Sequence, residues 1–199
     1  MRDTREELKK MYKILAICGE AGTGKDTVMQ KVLRNRPDFH EIISCTSRPI
    51  REGEKEGVNY YYYTYEEFAD KILNGDMLES TVFNNWCYGT SNDSVIEDAI
   101  NIGVFNPAGI YSLLENPEVD LKVVRMRTDD KTRLLRQLNR EEHPDVREIV
   151  RRFSADAIDF ADLDFSYIEI PNERDTNIEE ACKNLLCQVQ TWLDQGQQK

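Results

Sequence analysis

The sequence predicts an α/β fold with a parallel sheet flanked by helices, and three observations support that prediction. Residues 12–18 (YKILAIC) form a short aliphatic run that ends in a glycine-rich turn, a pattern typical of a buried parallel strand. Further apolar runs alternate with segments of helical spacing, as expected of βαβ units. The 199 residues suffice for one buried core and are few for two domains. We therefore expect a single domain at 1–199.

The first half of the chain is predicted to carry a small, mostly extended insert in this core. The predicted elements are a helix at 25–34, strands at 41–44, 59–63 and 77–83, and a segment of helical spacing at 92–101. Thr64 and Glu67 match a capping box, which indicates a helix that continues to Leu73. The insert is expected at 44–92, and the core is expected at 11–43 and 93–199.

The second half is predicted to return to alternating strands and helices. The predicted elements are strands at 103–106, 121–127 and 165–170, a basic helix at 129–140, a helix from 145 to about 160, and a C-terminal helix. Asp145 with Glu148, and Thr176 with Glu179, have the spacing of helix caps. A short polar turn separates two basic helices, so we expect a mobile lid at about 139–152.

The balance of charge argues against a polynucleotide substrate. Acidic residues number 37 against 26 basic ones, and a formal net charge of -11 would repel nucleic acid phosphates. Several arginines nevertheless cluster along the chain, namely Arg48, Arg51, Arg140, Arg147, Arg151 and Arg152. This clustering indicates a site for a small polyanion, although solvated helix faces are an equal alternative for Arg147 and Arg151.

The cysteines and the apolar runs indicate the compartment. Five cysteines and two histidines show no metal-ligand spacing, so structural zinc is not expected. The first twelve residues are charged throughout, and no apolar run approaches the length of a membrane span. We expect a cytoplasmic protein with free thiols and no membrane partner.

A phosphate-binding loop is predicted at 19–25 (GEAGTGK), which matches G-x-x-x-x-G-K between a strand and a helix. The glycines let backbone N–H groups and the helix N-terminus point at phosphates, while Lys25 reaches the phosphate oxygens. A purely structural glycine turn is the alternative, but it does not require this lysine. The predicted ATP-binding residues of the loop are Gly19, Glu20, Ala21, Gly22, Thr23, Gly24, Lys25, Asp26 and Thr27. The fold class is thus narrowed to that of P-loop nucleoside triphosphatases.

Asp26 stands where the usual motif has a Ser or Thr hydroxyl, and Thr27 follows one position later. A carboxylate can bind Mg²⁺ directly or through water. Its negative charge beside phosphates has to be offset by the metal or by arginines. We predict Mg²⁺ with ATP as the cofactor and Asp26 as a candidate metal ligand.

The stretch from Ser44 to Thr90 resembles the GMP-binding insert of guanylate kinases. Residues 44–60 match Ser-x-x-x-Arg-x-x-Arg-x-Gly-Glu-x-x-Gly-x-x-Tyr, and LES and a Tyr-Gly-Thr turn follow. The resemblance begins at Gly19, weakens between about 96 and 108, and resumes at RRFSA and IPN. It implies a small mostly β nucleotide-binding insert and a helical lid.

The resemblance also implies roles for individual residues. It makes Arg48, Arg51, Tyr60 and Tyr88 the clamp on the acceptor phosphate, with Glu54 supporting the arginines. Guanidinium groups and phenol hydroxyls suit a dianionic phosphate. For Tyr61, Tyr62 and Tyr63 we favour a half-buried strand without a role in the site.

The same resemblance makes Ser44, Glu79 and Thr90 contacts to the guanine base. The carboxylate of Glu79 can accept hydrogen bonds from guanine N1–H and from the 2-amino group, a pair that adenine does not offer. The alternative for Glu79 is an exposed strand residue. Its spacing to residues 88–90 favours the functional interpretation.

The lid implied by the resemblance would fold Arg140 and Arg152 over the polyphosphate, and Asn172 falls near the expected position of the adenine. The chain departs from the family at 104–106, where Val-Phe-Asn replaces the usual Asp-x-Asp. Asn106 can hydrogen-bond a base or a metal-bound water, but it adds no charge. Our hypothesis is that Asp26 restores a carboxylate from the other side.

Together these features imply a kinase that moves the terminal phosphate of ATP onto GMP or dGMP, with Lys25, Arg48, Arg140 and Arg152 as catalytic residues. One alternative is a broader deoxynucleoside monophosphate kinase, because the Gly-Lys-Asp loop and the altered strand resemble variants of viral nucleotide kinases. Another is a non-catalytic binding module for phosphorylated peptides, against which the retained loop argues. The expected partners are small nucleotides, without nucleic acid, and the chain is expected to be a monomer or a homodimer.

Overall fold

The computed structural model describes residues 11–51, 53–83, 85–140 and 142–195. Its strands and helices follow in the order β1 (Tyr12–Cys18), α1 (Lys25–Asn35), β2 (Phe39–Glu41), β3 (Cys45–Thr46), β4 (Tyr61–Tyr62), α2 (Tyr65–Leu73), β5 (Met77–Phe83), β6 (Trp86–Ser91), β7 (Ile100–Val104), α3 (Pro107–Glu115), β8 (Val119–Arg127), α4 (Asp130–Leu138), α5 (Val146–Asp159), β9 (Ile168–Pro171) and α6 (Ile178–Asp194). A single 3₁₀ turn, Asn92–Ser94, precedes β7.

A five-stranded sheet forms the centre of the molecule, in the order β2-β7-β1-β8-β9. All of its strand pairs are parallel, as the sequence predicts. Alternate residues of β1 serve opposite faces: Leu15 and Ile17 belong to one apolar cluster, and Ile14 and Ala16 belong to the other. Because both faces are covered, β1 is apolar along nearly its whole length. The α/β fold class is confirmed.

Different helices cover the two faces of the central sheet. The first cluster contains residues of α1 and α6, such as Val32 and Leu185, and the second contains Ile110 and Leu113 of α3. These side chains have no exposed surface. Burying a side chain of this size stabilises the fold by roughly 2 kcal/mol. Because β1 and α1 pack in the same cluster, this burial fixes both ends of the loop that joins them.

A second, four-stranded sheet has the order β4-β3-β6-β5 and lies within the segment predicted as an insert. β6 is antiparallel to β5 and to β3, whereas β3 and β4 are parallel. The predicted capping box is confirmed: Thr64 accepts from the N–H of Glu67, and the Glu67 side chain accepts from the N–H of Thr64. This sheet places residues of β5 and β6 side by side near the carboxyl end of the central sheet.

Several predicted elements differ from the structure. The Tyr-Gly-Thr segment at 88–90 is the middle of β6 and not a turn. Residues 92–101 do not form a helix, because the buried amide of Asn101 donates to the carbonyls of Lys13, Ile96 and Ala99 and fixes a loop before β7. The cap of α6 is Asn177, one residue after the predicted Thr176, and accepts from the N–H of Glu179.

The strand predicted at 41–44 is wrong for residues 42–44, which form no strand: β2 ends at Glu41 in the central sheet, and β3 begins at Cys45 in the second. The predicted strand at 59–63 is reduced to Tyr61–Tyr62, and α3 was not predicted at all. In the described part of the chain, no helix combines the length and the apolarity needed to cross a membrane.

Candidate active site

The predicted phosphate-binding loop at 19–25, called the donor loop below because it is predicted to bind the phosphate donor, joins β1 to α1 and depends on its glycines. Gly22 and Gly24 have φ angles of 85° and 88°, a region that other residues rarely adopt. A Cβ atom on Gly24 would lie 2.5 Å from Nδ2 of Asn172, which donates to the carbonyl of Thr23 at 2.7 Å. Asn172 therefore holds the loop from outside the cavity, and the assignment of Asn172 to an adenine contact stays a prediction.

Lys25 begins α1 and turns back over the loop. Its Nζ donates to the carbonyl oxygens of Gly19 at 2.7 Å and Glu20 at 3.0 Å. Burial lowers the pKa of Lys25, while the carboxylates of Asp26 and Asp156 act to raise it. The ammonium group is thus bound to the backbone of the loop, and an anion nearby would raise its pKa.

The carbonyl side of the loop is bound by cations from neighbouring elements. Arg133 of α4 donates through Nε to the carbonyl of Ala21 at 3.1 Å, and Arg136 donates through Nη1 to that of Gly22 at 3.3 Å. The side chain of Glu20 pairs with Arg125 at 2.7 Å. Arginines thus bind two backbone carbonyls of the loop and the side chain of Glu20. These contacts fix the conformation of the loop beside the cavity.

The predicted clamp is assembled around a nearly buried arginine. Arg48 is 7% exposed, and its Nη2 donates to both carboxylate oxygens of Glu54 at 2.9 and 3.0 Å. Glu54 also accepts from the backbone N–H of Arg51 at 2.9 Å and from the hydroxyl of Tyr62 at 2.8 Å. Burial opposes ionisation, yet these hydrogen bonds lower the pKa of Glu54 to about 2. Glu54 stays charged and fixes the plane of the guanidinium.

Aromatic rings surround Arg48. The guanidinium carbon lies 5.5 Å from the ring centroid of Tyr60 and 5.8 Å from that of Tyr62. Tyr60 in turn packs edge-on against Tyr88, with centroids 6.1 Å apart. Burial raises the pKa of Tyr60, so its hydroxyl keeps the proton that it can donate to an anion. Tyr60, Tyr88 and Arg48 form one contiguous surface.

Glu79 is buried on β5 opposite Thr90 of β6, whose hydroxyl donates to Oε1 of Glu79 at 2.8 Å. Its second oxygen, Oε2, is buried and has no hydrogen-bond partner in the described part of the chain. Burial raises the pKa of Glu79 to about 7, although the Thr90 hydroxyl acts in the opposite direction. An unpaired buried acceptor is costly, so this oxygen is suited to a ligand that brings a donor.

A cavity of about 550 Å³ connects the donor loop with the second sheet. The predicted site residues that line it are Gly19, Ala21, Lys25, Ser44, Arg48, Arg51, Tyr60, Glu79, Tyr88, Asn106 and Arg152. Glu54 and Thr90 support this lining from behind through Arg48 and Glu79. Residues from the loop, the second sheet and α5 thus meet around one space.

Other predicted residues lie apart from the lining. Arg140 follows α4 and is exposed, and Asp26 and Thr27 are exposed in the first turn of α1. Thr23 is buried, and its hydroxyl donates to the carbonyl of Glu20 at 2.8 Å.

Asn106 lines the cavity, but its side chain also caps α3 by accepting from the N–H of Gly109 at 2.7 Å.

The metal prediction finds limited support in the protein side chains. Among the described residues, no group of three or more His, Cys, Asp or Glu side chains is arranged to hold a metal ion. The carboxylates of Asp26 and Asp156 both act on Lys25, and that of Asp156 is already bound to Ala21 and Arg133, which leaves Asp26 as the candidate ligand. Such a donor set fits a Mg²⁺ ion whose other ligands are nucleotide oxygens and water.

Sequence reasoning missed several residues around the cavity. Glu148 of α5 accepts from Arg151 at 2.6 Å and from Arg152 at 2.9 Å, and all three line the cavity. Hydrogen bonds from these arginines lower the pKa of Glu148 to about 2. Asp156 and Tyr62 also contact loop or clamp residues. The i, i+4 spacing of Glu148, Arg152 and Asp156 could have indicated one helix face toward the site.

Comparison with known proteins gives a consistent result over the chain. The family model for guanylate kinase matches residues 11–190. A guanylate kinase of Fusobacterium nucleatum is 31% identical over 180 residues, covering 87% of this chain and 93% of that protein. A guanylate kinase of Chlorobium luteolum is 38% identical over 85 residues, but this match spans only 43% of either protein.

A match to a guanylate kinase of Clostridium tetani likewise spans 40% of that protein, at 46% identity. Among solved structures, the guanylate kinase from Anaplasma phagocytophilum superimposes with a TM-score of 0.65 at 21% identity. That comparison covers 92% of this chain and 87% of the other. It establishes the fold.

Proposed function

Since the chain belongs to the guanylate kinase family, we propose that it transfers the terminal phosphate of ATP to GMP or dGMP. The observation that carries this proposal is the buried, unpartnered oxygen of Glu79 in the same cavity as Lys25 and Arg48. A guanine base brings two adjacent donors to such a carboxylate. The cavity therefore offers one place for a base and two places for phosphate.

The donor loop is proposed to bind the phosphates of ATP. Its N–H groups and the N-terminus of α1 supply fixed dipoles, and Lys25 can exchange its carbonyl contacts for phosphate oxygens. A phosphate beside Lys25 would raise the pKa of its ammonium group and so oppose the effect of burial. Mg²⁺ bound with ATP would neutralise phosphate charge, and Asp26 is the residue we propose to hold it.

The second sheet is proposed to bind the acceptor. Arg48 and Arg51 neutralise its phosphate, Tyr60 and Tyr88 donate hydrogen bonds from their hydroxyls, and Ser44, Glu79 and Thr90 receive the base. Because Glu54 fixes Arg48 before the acceptor arrives, little side-chain entropy is lost on binding. The acceptor-binding unit is proposed to be the insert at 44–92.

Phosphoryl transfer requires mainly alignment and charge neutralisation, so no protein nucleophile is needed. Arg152 already faces the cavity and can stabilise the charge that develops on the transferred group. We propose that the segment at 139–152 moves inward when both substrates bind, which would bring Arg140 toward the polyphosphate and exclude water.

A coupled assay of ADP release with ATP and Mg²⁺ tests this function, with GMP, dGMP, AMP, dAMP, CMP and dTMP as parallel acceptors. Lys25→Ala serves as the blank. We expect turnover with guanine nucleotides only. Equal turnover with dAMP or dTMP would indicate a broader deoxynucleoside monophosphate kinase, and GMP binding without turnover would indicate a non-catalytic binding module.

A further inference from the structure

A carboxylate from α5 reaches into the donor loop. Oδ2 of Asp156 accepts from the backbone N–H of Ala21 at 2.8 Å and from Nη2 of Arg133 at 2.7 Å. Asp156 lines the cavity together with Lys25, and its side chain is 16% exposed. One oxygen atom thus joins α5, α4 and the loop.

Apart from raising the pKa of Lys25, a negative charge at this place serves no step of the proposed reaction. Burial raises the pKa of Asp156, while the N–H of Ala21 and the charge of Arg133 act to lower it. A carboxylate this close to bound phosphates would repel them. Its presence in the cavity therefore calls for an explanation other than a direct contact to nucleotide.

The partners of Asp156 are groups that phosphate also uses. Backbone N–H groups of such a loop, arginine guanidinium groups and the loop lysine are the usual donors to phosphate oxygens. Arg133 would keep its position without Asp156, because Nε remains bound to the carbonyl of Ala21 and Nη1 to Asp130 at 2.7 Å. Its Nη2 is then the group that can change partner.

We propose that Asp156 is an internal anion that occupies a phosphate position of the donor loop and is displaced by a phosphate of ATP. The inference rests on the proposed function, since it takes the loop to be an ATP site. Asp156 is a positioning residue in this scheme: it satisfies the N–H of Ala21 and the guanidinium of Arg133, and it leaves both to the nucleotide.

The consequence is that Asp156 weakens ATP binding. Asp156→Asn keeps the size of the side chain and removes its charge, so competition for the loop should decrease. We expect the dissociation constant of ATP, measured by titration calorimetry without acceptor, to fall about fivefold, the order expected for removing one like charge at contact distance. A residue with a merely structural role would not give tighter binding when changed.

Asp159→Asn is the matched control. Asp159 lies on the same helix and lines the same cavity, and burial alone raises its pKa, without a contribution from the loop. Asp159→Asn removes the same charge from a side chain that does not bind the loop, because the N–H of Ala21 donates to Asp156. Tighter ATP binding in Asp156→Asn than in Asp159→Asn supports the proposal. Equal gains in the two variants, or unchanged or weaker binding in Asp156→Asn, would overturn it.

Folding is checked by thermal melting of each variant. Should Asp156→Asn fail to fold, Asp156→Ser is measured with the same expectation, and failure of both variants to fold would overturn the proposal in favour of a structural tie. Wild-type protein that binds no ATP contradicts the proposed function itself. Wild-type binding without a gain in the variants contradicts only the role of Asp156.

Discussion

At the scale of single residues, Glu79 links base recognition to pH. Burial raises its pKa to about 7, with the Thr90 hydroxyl opposing, and only the ionised form can accept both donors of guanine. We therefore predict that the KM for GMP rises as the pH falls below 7 and is level above it. The measurement is KM for GMP between pH 5.5 and 8.5.

Glu79→Gln provides the comparison, because it retains the titration of the GMP phosphate, whose second pKa is about 6. The amide presents a donor where guanine also has one, so KM should increase roughly tenfold or more at high pH. In Glu79→Gln, the part of the pH dependence of KM that comes from Glu79 should disappear, and the part that comes from the GMP phosphate should remain. If wild type and variant show the same pH profile, Glu79 does not contact the base.

Tyr62 supports the acceptor clamp, because its hydroxyl donates to Glu54 and its ring lies against Arg48. Tyr62→Phe keeps the ring and removes one of the donors that hold Glu54. We expect the KM for GMP to rise about threefold with little change in kcat, because Glu54 loses one donor and keeps those of Arg48 and of the Arg51 N–H. The initial-rate kinetics of Tyr61→Phe, an exposed neighbour, should match the wild type. A fall in kcat with unchanged KM would refute this role.

At the scale of elements, the donor loop depends on close backbone packing that only glycine permits. Gly24→Ala combines a left-handed φ of 88° with a contact of 2.5 Å to Asn172, whereas Gly75 has a φ of 75° and open space around its Cβ position. Gly75→Ala should reduce the free energy of unfolding by about 1 kcal/mol.

Gly24→Ala should cost more than that and should also abolish ATP binding, because Asn172 would be forced from the carbonyl of Thr23. Urea denaturation and ATP titration of both variants measure the two effects. Equal losses of stability, with ATP binding intact in Gly24→Ala, would show that backbone strain alone matters at this position.

Elements with strong local signals were predictable, and those decided by tertiary contacts were not. β1 follows from its apolar run, and α2 follows from the Thr64 capping box. The loop at 92–101 has helical spacing, but the buried amide of Asn101 binds carbonyls from two segments, which no local pattern reveals. The start of α3 did carry a local signal, an Asn cap followed by proline.

At the scale of the whole molecule, the sequence indicated residue types for the site but not all of their partners. Residues from the loop and from β5 line one cavity, as the family resemblance led us to expect. The contacts of Asp156 with Ala21 and Arg133 span 135 and 23 positions along the chain, so they depend on how α5 packs against the core. Motif spacing cannot specify such a pair.

The burial of Glu79 should make the free energy of unfolding of the whole protein depend on pH. The native state retains the proton of Glu79 up to a pKa of about 7, whereas the unfolded chain releases it near 4.5. The unfolded state thus binds fewer protons between these values, and stability falls as the pH rises through this window, by on the order of 3 kcal/mol. The glutamine of Glu79→Gln cannot ionise, so this variant does not lose stability in this window. The difference in free energy of unfolding, variant minus wild type, should therefore increase by about this amount between pH 5 and pH 8, as measured by urea denaturation. Exposed Glu66→Gln should show no such increase, and an equal pH response in the two variants would show that Glu79 is ionised without cost in the folded protein.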